Sequence, residues 1–471
     1  MNKKISLGAA IALVVFVAAA AVFITMGVSS QLFANHSDVS PDRAAIMTKL
    51  GEIDAVVSNN YVGEINEEAL SKGIMDGFFT GLGDPHSCYL TPEEYNETVL
   101  DRSGKSSDIG AYVTDYNGGM YVYFVMNNSP ASDAGLEKGD IITAVAGAEV
   151  KDSGFDAAVS SIKSMSSTFD LTVTRGQETM TVNVTPGEFK TTTIEAKILE
   201  LGNIGYIRIY NFVDSTDEQF SDAVETMLRQ NVSGFIFDVR HNGGGTLSSV
   251  VNMIDKLCPA GPIMYKVDKD GTTTVLHKSD SNEIEKPMLV LMDDTTASAA
   301  ELFACALRDY EIAELIGTKT YGKGSMQDLF AFKDGSAINL TTSLFNPPYS
   351  PNFNGVGILP DYEVPLSSGI TNFFLVNEET DTQLQFAVQK MFEVTGYADS
   401  VNADPEDQLS QAGSSEASAE NSASSQLSSA SSQSSSASTQ TASSEVGSES
   451  SANSRTGSSD AQTSSSAVSR Q

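Results

Sequence analysis

Basic residues and histidine are scarce in this 471-residue chain, and cysteine is scarcer still. It carries 28 Lys and Arg against 61 Asp and Glu, a formal charge of −33. A field of that sign repels nucleic acid and anionic lipid surfaces, which argues against any phosphate-tracking role. The three cysteines, Cys88, Cys258 and Cys305, lie far apart and make neither a disulfide framework nor a zinc spacing. Cys305 falls in an apolar helical pattern and reads as a small core residue. Four histidines, His36, His86, His241 and His277, leave little choice of a general base. His36 lies near an apolar N-terminal run and His277 in a polar, turn-rich stretch. No serine sits in a Gly-x-Ser-x-Gly elbow, so a Ser-His-Asp hydrolase is a weak reading.

What is present indicates about two or three domains at ordinary domain sizes. Hydrophobic residues make up 40% of the chain, enough for a sizeable core. Lys3 and Lys4 precede an apolar run over residues 7–28, broken only by glycines and Thr25. A signal-peptide core is usually ~7–15 residues long and a spanning helix ~20. The longer length and the N-terminal lysines predict an uncleaved membrane anchor over residues 1–34, with the remainder outside the cytoplasm. Cleavage within the alanine-rich stretch is the alternative.

Residues 41–102 read as helical, with Ile46, Leu50, Ile53 and Val57 at 3- and 4-residue spacing and the loop Gly83-Asp84-Pro85-His86-Ser87 as an interruption. Residues 103–188 turn strand-like, with β-rich runs at 121–125 and 171–174. Over 191–365 strands and helices alternate: strands at 205–209, 234–237 and 287–292, helices at 217–229, 247–257 and 298–310. This is an α/β (α+β) multi-domain pattern. A helix at 382–394 lies in a C-terminal extension, 366–398. Residues 401–471 collapse into Ser, Ala, Gln and Thr and predict a disordered tail that cannot offset its chain entropy by burial. Spacer or wall-spanning tether is one reading of it, passive solubility the other.

Three segments carry the candidate chemistry. In the first, an apolar strand runs through Asp293-Asp294-Thr295-Thr296-Ala297 into a helix that opens at Ser298. A hydroxyl there faces free backbone N–H groups and the positive end of the helix dipole, which favour an alkoxide or oxyanion. Ser298 with Glu301 three residues on is equally a capping box. In the second, Lys323 sits between Gly322 and Gly324. Burial could lower a lysine toward ~7–8 and make it a general base; an exposed turn lysine is the plainer reading. In the third, a strand ending at Asp238 runs through Arg240-His241-Asn242 into Gly243-Gly244-Gly245. That turn lacks a Gly-Lys-Ser/Thr ending and a Gly-x-Gly-x-x-Gly pattern, so a phosphate cradle fails and an oxyanion hole or a plain tight turn remains.

Taken in order, these segments closely resemble the carboxyl-terminal processing peptidases, the tail-specific protease group with a Ser-Lys dyad. The resemblance spans residues 52–394. It includes the Gly83-to-Tyr95 loop, the PDZ-like Asn127-Asn128-Ser129-Pro130 and Gly135-Leu136-Glu137-Lys138-Gly139-Asp140 elements, and Asp238 to Gly245. It continues through Thr296-Ala297-Ser298-Ala299-Ala300-Glu301, Gly322-Lys323-Gly324-Ser325-Met326-Gln327 and the closing Gly355-Val356-Gly357-Ile358-Leu359-Pro360-Asp361.

The resemblance implies Ser298 as nucleophile, Lys323 as base, Gln327 as the residue that orients the lysine, and Gly244 and Ala299 N–H groups as the oxyanion hole. It implies a PDZ domain over 103–188 whose loop Ile109-Gly110-Ala111-Tyr112 takes a free C-terminal carboxylate, and a protease core over 191–365. Substrates would be proteins with free apolar C-termini. No cofactor, no metal and no nucleic acid are implied, and a homodimer through the N-terminal helices is suggested. Departures from the pattern are Ala300 and Cys88, where serine is usual, and Ser106-Ser107-Asp108, more polar than the family's glycine-rich approach to the loop. Two rivals are an inactive PDZ scaffold in the cell envelope and a hydrolase dependent on His86 or His241.

Overall fold

Strands at Ile204–Ile209, Phe235–Asp238 and Met288–Met292 are almost wholly apolar. Strands of that kind are covered on both faces, as in a parallel sheet flanked by helices. The computed structural model of the chain describes residues 41–397 apart from 281 and 371. The anchor expected over 1–34 and the tail expected over 401–471 lie outside the described residues. Among those residues no helix is long and apolar enough to cross a membrane.

The chain divides into two units, 1–74 and 75–471. The first holds helix α1 (Pro41–Asn60) and the start of α2 (Glu67–Thr80). The apolar residues of α1 do not form a core there: Ile46 is 61% exposed and Val56 62%.

The second unit opens with the end of α2, the short strand β1 (Cys88–Leu90) and α3 (Pro92–Arg102). Thr91 and Glu94 cap α3 reciprocally, and Pro92 occupies its first turn. A β module follows: β2 (Lys105–Asp108), β3 (Ala111–Tyr116), β4 (Gly119–Val125), the short helix α4 (Pro130–Asp133), β5 (Ile141–Val145) and β6 (Ala148–Glu149). The helices α5 (Val150–Ser153) and α6 (Phe155–Ser164) lead to β7 (Phe169–Arg175), β8 (Glu178–Val184) and β9 (Gly187–Lys190). The antiparallel sheet runs β3-β4-β5-β7-β8, with β6 on β5, while β2 and β9 pair as the entry and exit of the module. Met120, Val122, Ile142, Leu171 and Val173 form its core with Ile162 of α6.

The core sheet has the order β10-β11-β12-β15-β16-β19. Its strands are β10 (Ile194–Leu199), β11 (Ile204–Ile209), β12 (Phe235–Asp238), β15 (Met288–Met292), β16 (Ala313–Gly317) and β19 (Tyr362–Glu363). All neighbours are parallel except β10 and β11. Alternate side chains leave on opposite faces. Phe235, Phe237, Val290 and Met292 meet the helices α7 (Thr216–Arg229), α8 (Leu247–Leu257) and α9 (Ala299–Asp309). Ile236, Leu289 and Leu291 meet Leu384, Ala387 and Met391 of α10 (Thr382–Thr395). Helix α9 is buried from Ala299 to Leu307 without a break. Its four alanines let neighbouring elements approach, and Leu302, Phe303 and Leu307 each contribute about 1.5–3 kcal/mol by burial.

A second antiparallel sheet lies beside the core. It contains β1, β13 (Gly261–Asp268), β14 (Thr273–Ser279), β17 (Ser325–Ala331) and β18 (Ala337–Asn346), with β17 and β1 both pairing β18. The expected α/β pattern is therefore observed, with the β module inserted before the core sheet.

Candidate active site

Strand β15 ends at Met292 and α9 begins at Ala299, so Ser298 lies one residue before the helix instead of opening it as expected. Its backbone is left-handed at φ 57, a conformation that costs a non-glycine residue about 1–3 kcal/mol and must be held by its surroundings. Asp293 and Thr296 lock the preceding turn: Thr296 Oγ1 donates to Val239 O at 2.9 Å, and the Asp293 carboxylate accepts the Thr295 and Thr296 N–H groups at 3.0 Å each. Ala299 is the first helical residue, so no carbonyl of the same helix can accept its N–H.

The capping-box glutamate does more than cap. Glu301 is fully buried, and its Oε2 accepts the Ser298 N–H and the Lys323 N–H, each at 2.8 Å. Oε1 accepts Gly322 N–H at 2.7 Å and Thr320 Oγ1 at 2.5 Å. Two donors that share one oxygen at 2.8 Å cannot stand more than twice that distance apart, so the backbones of Ser298 and Lys323 are neighbours. Tyr321 N–H, donating to Thr296 O at 3.1 Å, ties the two segments again. Burial raises the Glu301 carboxyl from its ordinary value even though all four hydrogen bonds favour its ionised form.

Lys323 is partly buried. Burial, and next the Arg102 guanidinium, push its amine below the ordinary lysine value; Asp84 and Glu301 pull the other way. His86 shares this environment, its imidazole lowered by burial and then by Lys323. The loop that carries Asp84 and His86 is fastened to β18. Asn339 Nδ2 donates to His86 O at 3.0 Å, Thr341 N–H donates to Ser87 Oγ at 3.0 Å, and Ser87 Oγ in turn donates to Asp84 Oδ2.

Gln327 lies in β17, next to a register shift between Met326 and Gln327. Such a bulge re-aims a side chain. Its Nε2 donates to Ser325 Oγ at 3.0 Å and Thr341 Oγ1 at 3.1 Å, which leaves Oε1 as the acceptor of this amide.

The glycine turn approaches Ser298 from β12. A Cβ on Gly244 would lie 2.7 Å from Ser298 Cβ and 2.9 Å from Ala299 N, and its φ is +102, so only glycine fits. The Gly244 N–H is already engaged, donating to Asn242 Oδ1 at 2.8 Å. Of the two N–H groups expected to form the oxyanion hole, only that of Ala299 is therefore without a partner dictated by the local chain. Asn242 is itself fixed by its own Nδ2 to Ile209 O at 2.8 Å and by Ala297 N–H to its carbonyl at 2.9 Å. Beneath the turn, Arg240 spans two buried carboxylates: its Nη2 lies 2.6 Å from Asp238 Oδ2 and 2.8 Å from Asp381 Oδ2. Burial would raise Asp238, but the charge and hydrogen bonds of Arg240 outweigh it and hold the carboxyl at about 2.

Among the described residues no hydrogen bond joins His241 to Ser298. Its Nδ1 pairs with Thr295 Oγ1 at 3.1 Å and its Nε2 lies 3.3 Å from Asp293 Oδ2. The loop Ile109-Gly110-Ala111-Tyr112 lies in the β module, where Tyr112 packs on Phe124 and Tyr210 at 5.9 Å each. Among the described residues, no group of three or more His, Cys, Asp or Glu is placed to hold a metal. Sequence reasoning missed the bridging role of Glu301 and the grouping of Asp84, His86 and Arg102 about Lys323. Its only signal for Glu301 was the three-residue spacing from Ser298.

Comparison with known proteins adds the family. Residues 203–364 match the model of Peptidase family S41, 107–185 that of the PDZ domain, and 13–94 that of the Activating protease CtpB N-terminal domain. A Staphylococcus aureus (strain MRSA252) protein named "Probable CtpA-like serine protease" is 32% identical over 346 residues, covering 72% of this chain and 69% of the relative. A Staphylococcus haemolyticus (strain JCSC1435) protein of the same name is 30% identical over 355 residues, 74% of this chain and 70% of the relative. A Bacteroides fragilis NCTC 9343 structure titled "Putative S41 protease" shares the fold, with a TM-score of 0.50 at 18% identity over 71% of this chain and 92% of that one. With a PDZ domain inserted before a mixed α/β core, the chain belongs to peptidase family S41 and is a serine peptidase of the C-terminal processing type.

Proposed function

We propose that the chain is an endopeptidase that cuts protein substrates near their C-termini with a Ser298/Lys323 dyad. The observation that carries this reading is the convergence of both backbones on Glu301 Oε2. A neutral Lys323 amine takes the Ser298 hydroxyl proton as Oγ attacks the peptide carbonyl, and returns it to the leaving amine. Water then releases the acyl-enzyme, with Lys323 again as base. Partial burial favours the neutral amine. Gln327 Oε1 is the acceptor that holds the lysine in line. Ala299 N–H stabilises the oxyanion, and Gly244 N–H joins it as Asn242 Oδ1 gives way.

The PDZ domain presents the substrate's C-terminal segment, extended along β3, to the core. The apolar run over 7–28 anchors the chain with its catalytic part outside the cytoplasm, and the exposed apolar residues of α1 offer a surface for a second copy. The test is degradation of an unfolded protein with an apolar C-terminus by the purified chain. Ser298→Ala and Lys323→Ala are each expected to lose ~10³-fold or more in kcat. Degradation equal to that of the unaltered chain would end the dyad reading.

A further inference from the structure

The loop that would receive a substrate's terminus carries a carboxylate of its own. A carboxylate-binding loop works by presenting backbone N–H groups in a fixed concavity. Gly110 is such a fixed point. Its φ is +74, and a Cβ there would lie 2.2 Å from Ser129 Cβ and 2.9 Å from the Phe189 ring. Its carbonyl accepts Met126 N–H at 2.9 Å and Ser129 Oγ at 3.3 Å, and the neighbouring Ile109 carbonyl accepts Ala131 N–H at 2.7 Å. The Gly110 N–H therefore has a set direction, and it donates to Asp108 Oδ1.

Asp108 is placed there by the β2/β9 ribbon, where it pairs with Gly187, and Ser106 Oγ donates to its other oxygen at 2.7 Å. A second carboxylate, Asp101 of α3, is close enough that burial and then the charge of Asp108 raise it, with Lys163 acting against them. An incoming carboxylate thus meets an occupied donor and a negative field.

We propose that Asp108 supplies in cis the carboxylate this loop would otherwise take from a substrate, so that the PDZ domain selects substrates by the apolar segment laid along β3 and gains little from a free terminus. The inference rests on the reading that this domain recognises the substrate's end, and it specifies how. A free carboxylate must displace Asp108 before it can bind.

The experiment uses the full chain carrying Ser298→Ala, so that ligand is not cut, with and without Asp108→Gly. A labelled peptide with apolar C-terminal residues is offered as free acid and as C-terminal amide, and binding is read by fluorescence anisotropy. With Asp108 present, acid and amide are expected to bind within about threefold of each other; with Asp108→Gly, the acid gains about tenfold or more while the amide is unchanged. Asp108→Asn keeps an acceptor for the turn and removes the charge, so it moves the acid-to-amide ratio in the same direction even if the glycine variant folds poorly. An unchanged ratio in both variants overturns the inference and leaves Asp108 a turn former. So does an acid that binds tenfold tighter than the amide with Asp108 in place. Binding of neither peptide to any of the proteins overturns the recognition reading itself, and the Asp108 inference with it.

Discussion

The backbone N–H groups of Ser298 and Lys323 meet on a single oxygen, Glu301 Oε2, at 2.8 Å each. Residues 25 positions apart are thereby set by one buried carboxylate that holds four donors and, among the described residues, forms no ion pair. Glu301→Gln keeps the shape but replaces one acceptor by an NH2 group that must face at least one backbone N–H whichever way the amide turns: those of Ser298 and Lys323, or that of Gly322. Buried donors left unpaired cost about 1–3 kcal/mol each. A lower melting temperature is expected, together with a fall in kcat of ~10² or more, since displacements of about 1 Å cost that much in a positioned site. Unchanged kcat in a folded Glu301→Gln protein would show that the bridge does not position the dyad.

The pH profile follows from the neighbours of Lys323. Its amine is depressed by burial and by Arg102 and is raised by Asp84 and Glu301. In the proposed mechanism the neutral form is the base, so kcat/KM is expected to rise with pH and level off below the ordinary lysine value. Removing the positive charge with Arg102→Ala favours the ammonium and moves the midpoint to higher pH; Asp84→Asn does the reverse. Measured midpoints that fail to move in opposite directions would separate these charges from the base.

Much of this arrangement was legible in the sequence, and the remainder was hidden for identifiable reasons. The strand–turn–helix units at Ser298 and Gly243-Gly244-Gly245 could be read because apolar strands and helical spacing are local signals. Ser-x-x-Glu, by contrast, is the same three-residue spacing whether Glu301 caps a helix or bridges to Lys323, and only the fold separates the two. Strand β1 is three residues long, too short for periodicity, yet it pairs Cys88 with Asn339 and brings His86 to the lysine. The contact of Arg240 with Asp381, 141 residues away, leaves no local trace. The occupied Gly244 N–H depends on one rotamer of Asn242, which no pattern encodes.

Gly244 tests the turn directly. Gly244→Ala must fit a Cβ within 2.7–2.9 Å of Ser298 Cβ, Ala297 O and Ala299 N at a φ of +102. Either Ser298 shifts or the turn does. Loss of kcat of ~10² or more is expected, as for removal of an oxyanion donor, with a smaller change in KM. Substrate binding through the β module should persist, so peptide anisotropy distinguishes this outcome from unfolding.

The buried cluster beneath that turn contributes to the stability of the fold against acid. Asp238 is held at about 2 by Arg240 against the opposing effect of burial, well below the ordinary aspartate value of 3.8. A carboxyl lowered in the folded state contributes stability that is fully present above its unfolded value and is lost as pH falls through the folded one. This contribution therefore fades between about pH 4 and pH 2. Arg240→Met removes the cation that bridges Asp238 and Asp381, leaving Asp381 without its partner and Asp238 with only the more distant charge of Arg208, at a cost of about 3–5 kcal/mol near neutral pH. Because protonation then relieves the stranded carboxylates, the stability of Arg240→Met should rise, relative to the unaltered chain, as the solution is acidified. Urea denaturation of both proteins across that range measures the difference. A constant gap at all pH values would mean that Arg240 acts through packing on Phe373, 4.7 Å from its guanidinium, and not through charge.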